Sequence, residues 1–153
     1  WVYLLLAFVV HTNACGIATH IEISNRALTW FRDTKHAAIL ERNLGALQAG
    51  SPFPDWGYSC GNMGEESEAA HWPPFINAFA KHIRASYKQP YTQEQEKVVS
   101  FLFGMTSHYM ADVLWHGLAD VENGFINVDA ALNFHGDYSS AHSNCDTALV
   151  SIF

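Results

Sequence analysis

The sequence predicts an all-α fold in the form of one multi-helix bundle. Apolar residues recur at helical spacing in successive segments, a capping-box signature opens the longest segment, and no alternating run has the length of a convincing strand. The chain has 153 residues, 49% of them hydrophobic and 15% charged, which is enough for one domain with a core and excludes disorder. We therefore expect helices joined by short loops.

The N-terminus has the pattern of a secretory signal peptide. Its first ten residues are continuously apolar, which suits a hydrophobic signal region and is too short to span a bilayer as a helix. Ala14 is small enough for a cleavage position, so we predict a signal peptide over 1–14, a folded domain over 15–153 and a secreted protein. Because no methionine or charged segment precedes the run, and the last residues are apolar, we expect a truncated leader and an incomplete C-terminus. A buried N-terminal strand or helix is the alternative.

The next part of the chain predicts short helices and an ordered loop. Thr19 is a candidate N-cap for a helix over 19–33, and a second helix is expected over 35–47. Prolines and glycines indicate an ordered loop over 50–57.

Helical periodicity then returns over 67–87, after a mobile surface loop expected over 61–66. Pro73 and Pro74 must stand at a helix start or in a kink. His71 is therefore expected just before the helix or in its first turn.

The longest predicted helix follows. Thr92 and Gln95 form a capping-box signature, and the helix is expected to run to about residue 121. A short helical segment is expected over 124–136, and a last helix is expected to begin near Ser139 or Ser140.

The charge of the chain argues against one class of partner. The formal net charge is −7, with 8 Lys plus Arg and no basic cluster, so stable nucleic-acid binding is not expected. An acidic chain can still hydrolyse phosphodiesters if metal ions supply the positive charge. Nine histidines are an excess that favours metal binding.

Three cysteines, Cys15, Cys60 and Cys145, leave at least one without a partner inside the chain. Secretion would permit a disulfide, and Cys60–Cys145 is one of the pairings that stay open. Because no C-x-x-C pair occurs, a thiolate zinc site is not expected.

Three ionisable residues share one stripe of the long predicted helix. His108, Asp112 and His116 are spaced i, i+4 and i+8, so they stand at about 0°, 40° and 80° with neighbours roughly 6 Å apart. Imidazoles and a carboxylate at this spacing can hold zinc from one helix face. Gly104 continues the stripe and would let another element approach. A polar face, or core histidines with backbone partners, is the alternative, but burying three ionisable groups without a metal would cost several kcal/mol.

Further candidate ligands stand elsewhere in the chain. His142 and Asp146 form a second i, i+4 pair. Three isolated candidates are His20 at the first helix start, Asp55 in the loop, and His71 before a tryptophan. Each of these alone is more commonly structural, but together they suffice for more than one zinc ion.

Seven blocks of sequence, which span most of the chain after residue 14, carry a family resemblance. They are CGIATHIEISNRAL (15–28), QAGSPFPD (48–55), HWPPF (71–75), FLFGMTSH (101–108), ADVLWH (111–116), FHGDYS (134–139) and AHS (141–143). In this order they resemble the zinc-dependent phospholipase C family, and most closely its glycosylphosphatidylinositol-cleaving branch. The resemblance implies an all-α fold shared with P1-type nucleases, of which this chain would be the N-terminal part.

The resemblance also implies three zinc ions and their ligands. One zinc would be held by Asp55, His71, His108 and Asp112, and a second by His116, His142 and Asp146. The third would be held by His20, by the bridging carboxylate of Asp112, and by backbone atoms of the mature first residue, Cys15. Asp55 would also be the catalytic residue that orients or deprotonates the attacking water.

Two departures from the bacterial phospholipases C concern the ligands. Their second helix histidine follows the aspartate by six residues, whereas His116 follows Asp112 by four, as in the glycosylphosphatidylinositol-cleaving branch. They also place a glutamate where this chain has Asp146, which offers the same oxygen ligand on a shorter side chain. His135 is a competing ligand, for which we expect a supporting or substrate-binding role instead.

The implied reaction is hydrolysis of the phosphodiester between phosphatidic acid and the inositol of a glycosylphosphatidylinositol-anchored protein, at a membrane surface contacted transiently. The His-x-Lys motif of the other phospholipase D superfamily does not occur in the chain. A phospholipase C or a single-strand nuclease on the same zinc ions is one alternative. A non-catalytic secreted domain that binds zinc structurally is the other.

Overall fold

A computed structural model describes residues 16–31, 34–118 and 123–148. Its helices are α1 (Ile17–Ala27), α2 (Lys35–Arg42), α3 (Leu44–Gly50), α4 (Trp56–Ser59), α5 (Gly64–His71), α6 (Pro73–Ser86), α7 (Gln93–His116), α8 (Phe125–Asn133) and α9 (Tyr138–Ala148). Two 3-10 turns, Leu28–Phe31 and Phe53–Asp55, complete the elements. Since these described ranges contain no strand, the all-α prediction is confirmed.

The first helix begins earlier than predicted. It starts at Ile17 after the N-cap Gly16, so the assignment of Thr19 as N-cap is wrong, and Thr19 is instead a buried residue of the first turn. The prediction of a single helix over 35–47 is also wrong, because the helix is interrupted at Asn43 between α2 and α3. The Asn43 amide donates to the Ile39 carbonyl and to the Glu96 carboxylate, so a contact with α7 stabilises the break.

The proline-rich segment contains more structure than a loop. The 3-10 turn Phe53–Asp55 and the short helix α4 occupy most of 53–59. The surface loop predicted over 61–66 is shorter, because α5 already begins at Gly64. Pro73 opens α6, as the sequence predicted, and His71 is the last residue of α5.

The long helix α7 starts as predicted and ends earlier. Thr92 and Gln95 form the predicted capping box with both reciprocal hydrogen bonds. The helix ends at His116 and not near residue 121, because Gly117 adopts a left-handed conformation with φ of 68°. A side chain at Gly117 would be strained there and would also crowd Gly124, the N-cap of α8.

Helix α7 is the axis against which the N-terminal helices pack. A Cβ at Gly104 would lie 2.2 Å from the Leu47 carbonyl oxygen, and one at Gly50 would lie 2.1 Å from the Phe101 carbonyl oxygen. The backbones of α3 and α7 therefore touch where they cross, which confirms the expectation for Gly104. Met110 and Leu114 of α7 are exposed and, with residues of α1, line an apolar cavity of 680 Å³.

Helices α8 and α9 pair around a small core. Its buried members are Ile126, Ala130, Ala141 and Cys145, with Trp115 and Phe134 packed against them. Cys145 is buried and Cys60 is exposed, and both are free thiols, so the pairing considered from the sequence does not form. No helix within the described ranges combines the length and hydrophobicity needed to cross a membrane.

Candidate metal centre

Five predicted ligands meet in one buried cluster. His20 comes from the first turn of α1, Asp55 from a 3-10 turn, His71 from the end of α5, and His108 and Asp112 from α7. Each of these residues is at most 6% exposed. Two triads within the cluster, His20–Asp55–His108 and His71–His108–Asp112, place their ligand atoms within 4.8 Å of one another.

The Asp112 carboxylate faces four imidazoles. The Nε2 atom of His108 lies 3.0 Å from Asp112 Oδ2, and that of His20 lies 3.5 Å from Oδ1. The Nε2 atoms of His71 and His116 follow at 3.7 Å and 3.9 Å. The Asp55 carboxylate faces two of the same imidazoles. Its Oδ1 atom lies 3.0 Å from His71 Nε2 and 3.7 Å from His108 Nε2.

Backbone carbonyls fix which nitrogen of two histidines faces the cluster. His108 Nδ1 lies 2.7 Å from the Ser51 carbonyl oxygen, and His71 Nδ1 lies 2.8 Å from the Ser67 carbonyl oxygen. Because a carbonyl only accepts, both Nδ1 atoms must carry protons. In the neutral rings the Nε2 lone pairs therefore point at the carboxylates, which is how a histidine is held for metal ligation.

Several atoms that face the cluster have no hydrogen-bond partner. Among the described residues these include both ring nitrogens of His20, Nε2 of His108 and Oδ1 of Asp112. The His20 and His108 rings are also stacked with centroids 3.8 Å apart. Leaving such buried groups unpaired is costly, whereas a cation between them would satisfy lone pairs on both sides.

Burial and the neighbouring rings determine the charge of the cluster. Burial, followed by the repulsion of His108, lowers the pKa of His20 to about 3, so this imidazole is neutral and can ligate. Burial would raise the pKa of Asp112, but the adjacent His108 outweighs it, and the net pKa lies below that of an ordinary aspartate. Burial would lower the pKa of His71, but the hydrogen bonds with Asp55 and the Ser67 carbonyl and the charges of Asp55 and Asp112 together raise it above the usual value.

A second group of predicted ligands adjoins the first. His116 ends α7, and its ring lies 4.9 Å from the ring of His142 on α9. His142 Nε2 lies 3.5 Å from Asp146 Oδ2. Both oxygens of the buried Asp146 carboxylate lack a hydrogen-bond partner among the described residues, and burial raises its pKa to about 7. The His116 and His142 pKa values are lowered by burial, which keeps both rings available as neutral ligands.

Two buried serines support these ligands. The Ser67 hydroxyl donates to the Pro54 carbonyl and accepts from the Gly57 amide at 2.7 Å, which holds the turn that carries Asp55. The Ser51 hydroxyl lies 2.6 Å from that of Ser24 and thereby ties the end of α3 to α1. Because the carbonyls of Ser51 and Ser67 accept from His108 and His71, the same residues orient two of the imidazoles.

The composition and geometry of the cluster fit zinc. The ligands are neutral imidazoles and carboxylates, which suit this ion, and no thiolate is involved. Their unpaired atoms face one another, and the opposite nitrogen of two rings is held by backbone. The residues present could therefore hold zinc between Asp55, Asp112 and the imidazoles.

Three predicted features lie apart from this cluster or cannot be placed. Cys15 and the predicted signal peptide over 1–14 lie outside the described residues, so both stay predictions. His135 is exposed, in a left-handed turn with φ of 54° between α8 and α9. Its substrate-binding role also stays a prediction.

Comparison with known proteins agrees with this chemistry. The family model described as zinc dependent phospholipase C matches residues 19–153. A phosphatidylinositol-glycan-specific phospholipase D from Bos taurus is 43% identical over 148 residues, which are 91% of this chain and 18% of that protein. Proteins of the same name from Homo sapiens and Dictyostelium discoideum are 41% and 36% identical, over 94% and 95% of this chain and 18% and 16% of their own lengths. The chain thus spans less than a fifth of these relatives. No solved structure matches it significantly.

Proposed function

Because the chain belongs to the zinc dependent phospholipase C family, we propose that it is the catalytic part of a zinc-dependent phosphodiesterase. Its substrate would be a glycosylphosphatidylinositol-anchored protein. The observation that carries this proposal is the cluster around Asp112, where buried imidazole nitrogens and carboxylate oxygens face one another without hydrogen-bond partners. Cations bound among these atoms would compensate the cost of burying them and could take part in catalysis.

The ligands divide between two neighbouring groups. Asp55, His71, His108 and Asp112 form the deeper group, and His116, His142 and Asp146 form the outer group. Asp112 connects them, because its carboxylate faces both His108 and His116. His20 approaches the same carboxylate from α1 and would help to hold a third zinc ion. Zinc in such a site polarises phosphoryl oxygens and lowers the pKa of a water ligand to about 7.

Asp55 is the proposed proton acceptor. Ser67 holds the turn that carries Asp55, so the carboxylate is fixed with its Oδ1 3.0 Å from His71 Nε2 and can offer a lone pair to a water. The water attacks phosphorus and gives a proton to Asp55, the bond from phosphorus to the inositol oxygen breaks, and that oxygen takes up the proton from Asp55. Phosphatidic acid and the anchored protein with its glycan are the products.

The cleaved bond is the finer part of the proposal, and the relatives support it. Three similar proteins carry the name phosphatidylinositol-glycan-specific phospholipase D. The same ligands could serve a phospholipase C or a nuclease, so the products must decide. Phosphatidic acid supports the proposed cleavage, whereas diacylglycerol or nucleotides would assign the site to one of those enzymes.

The test uses the complete gene product and a glycosylphosphatidylinositol-anchored reporter with a labelled lipid. We expect release of the reporter with labelled phosphatidic acid, loss of release on chelation, and recovery when zinc is returned. Asp112→Asn should lose bound zinc and reduce release by more than about 100-fold. Glu65→Gln, which alters an exposed carboxylate in the first turn of α5, is the control and should behave as the parent.

Two outcomes would contradict the proposal. Full activity in Asp112→Asn would show that its carboxylate does not connect the metal sites. A zinc-binding protein without phosphodiesterase activity on any of these substrates would instead indicate a structural metal site.

We also propose that the protein is secreted after removal of residues 1–14. This rests on the apolar leader and on the small Ala14 before Cys15. N-terminal sequencing of protein recovered from culture medium should begin at Cys15. A mature N-terminus elsewhere would remove Cys15 as the backbone ligand of the third zinc ion.

A further inference from the structure

Tyr138, the first residue of α9, contacts two of the outer ligands. Its hydroxyl lies 3.1 Å from His116 Nδ1, and its ring stacks on the His142 ring with centroids 5.7 Å apart and an interplanar angle of 16°. The side chain is 38% exposed, so it stands at the rim of the cluster. We propose that Tyr138 is a positioning residue that fixes the tautomer of His116 and the ring planes of both histidines for the outer metal site.

The tautomer follows from what each nitrogen of His116 faces. Nε2 points toward the Asp112 carboxylate at 3.9 Å, and Nδ1 points toward the Tyr138 hydroxyl. A ring that ligates through Nε2 must carry its proton on Nδ1 and donate it to a lone pair of the hydroxyl oxygen.

The same device occurs at two other ligands with a different acceptor. His108 and His71 donate their Nδ1 protons to the carbonyls of Ser51 and Ser67. His116 stands on the last turn of α7, and a tyrosine from α9 supplies the acceptor instead. A backbone carbonyl cannot be deleted by substitution, whereas a hydroxyl can. This makes His116 the ligand whose support is directly testable.

The stacked ring gives Tyr138 its second effect. The near-parallel contact with His142 restricts rotation of that imidazole, while the hydroxyl restrains His116. Tyr138→Phe keeps the ring and removes the acceptor, so the two effects can be separated. Tyr91→Phe is the matched control, because Tyr91 precedes α7 at the end opposite His116.

The experiment measures zinc affinity and tautomers separately in the complete protein. Zinc binding is measured by competition with a chelator. The tautomers are read from long-range ¹H–¹⁵N spectra of ¹⁵N-histidine-labelled, metal-free protein at pH 8. We expect Tyr138→Phe to weaken one zinc site by about 10- to 100-fold and to leave the others unchanged. It should also lower the population of His116 that is protonated on Nδ1, and Tyr91→Phe should do neither.

Two results would overturn the inference: zinc affinity within about twofold of the parent, or an unchanged His116 tautomer in Tyr138→Phe. The inference rests on the proposed zinc-dependent function but fails separately from it. A parent protein that binds no zinc contradicts the proposed function, while the tautomer spectra still decide the role of Tyr138. A parent that binds zinc as expected, with an unaltered Tyr138→Phe, contradicts the inference alone.

Discussion

At the scale of single residues, the unpaired atoms carry most of the information about this molecule. His20 has no hydrogen-bond partner at either ring nitrogen within the described part of the chain, although the residue is 1% exposed. Asp146 is equally unusual, because both oxygens of its buried carboxylate are unpaired. Natural proteins rarely leave such groups unsatisfied, so each marks a position where the fold gives up stability for another purpose.

Asp146 provides a test of this trade. Its pKa of about 7 lies above the ordinary aspartate value, so the folded state binds a proton more tightly than the unfolded state. Its contribution to stability is therefore full below pH 3.8 and is lost as the pH rises through 7. In metal-free protein at pH 8, Asp146→Asn removes a buried charge that His142, 3.5 Å away, and the Trp115 indole do not fully compensate, and should raise the free energy of unfolding by on the order of 1–3 kcal/mol. At pH 5 the difference should shrink.

Urea unfolding at the two pH values measures this difference, and Asp137→Asn is the control. The exposed Asp137 accepts hydrogen bonds from Ser140, which lower its pKa, so its replacement should destabilise the protein at pH 8. The variant within α9 and the variant just before it are thus expected to act in opposite directions. A destabilised Asp146→Asn at pH 8 would show that the carboxylate has a partner without metal.

At the scale of elements, close contact between two helices positions the ligands. Gly104 and Gly50 let α3 and α7 touch, and this contact brings the Ser51 carbonyl to His108. Any side chain at the crossing would separate the helices. The distance between α3 and α7 therefore controls a ligand that stands one turn further along α7.

Gly104→Ala tests that coupling. The added Cβ would lie 2.2 Å from the Leu47 carbonyl oxygen and 2.6 Å from the Ser51 amide, so backbone must move. We expect a loss of about 3 kcal/mol in unfolding free energy and weaker zinc binding. Gly45→Ala in α3 is the control, because nothing lies within 4 Å of its Cβ and the change should stabilise the helix by roughly 0.5–1 kcal/mol. Equal stability of the two variants would contradict the packing described here.

The elements also show how far the sequence could predict the structure. Local signals sufficed for the capping box at Thr92, the helix start at Pro73 and the ligand stripe on α7, because each depends on neighbours within a few residues. The break at Asn43 depends on a contact with Glu96, which is distant in the sequence. The early end of α7 has a local cause in Gly117, which the prediction of a helix to about residue 121 did not take into account.

The site divides in the same way. His20, Asp55, His71, His108 and Asp112 were predicted as ligands, and the structure brings them together. The sequence did not predict the supporting roles of Ser51 and Ser67. Each accepts a hydrogen bond through its backbone carbonyl, which every residue type has, so the side chain gives no signal. Tyr138 lies in one of the seven sequence blocks that carry the family resemblance. Its contact with His116 could not be predicted, because the two residues are 22 positions apart in the sequence.

At the scale of the whole molecule, the metal ligands come from most of the chain. The proposed ligands stand on helices α1, α5, α7 and α9 and on the turn at Asp55, so metal binding at this site would be coupled to folding. Protonation of the histidines opposes both metal binding and folding. The pKa of His20 falls from 6.5 to about 3 in the folded protein, so the unfolded state binds the extra proton between these values. Metal-free protein should therefore lose stability as the pH drops from 6.5 toward 3.

Removal of zinc should have a large effect at neutral pH. A site in which free zinc exceeds its dissociation constant 1,000-fold stabilises the fold by about 4 kcal/mol, which corresponds to a change in Tm of roughly 10 °C for a chain of this size. Calorimetry with chelator, and then with returned zinc, should show this loss and its recovery. Magnesium should not restore the Tm, because it binds imidazoles poorly. His82→Asn, at an exposed histidine of α6, should follow the parent, whereas His71→Asn should already be close to the metal-free state. If the parent unfolds at the same temperature with and without chelator, the buried cluster is stable by itself, and zinc would have no part in holding these helices together.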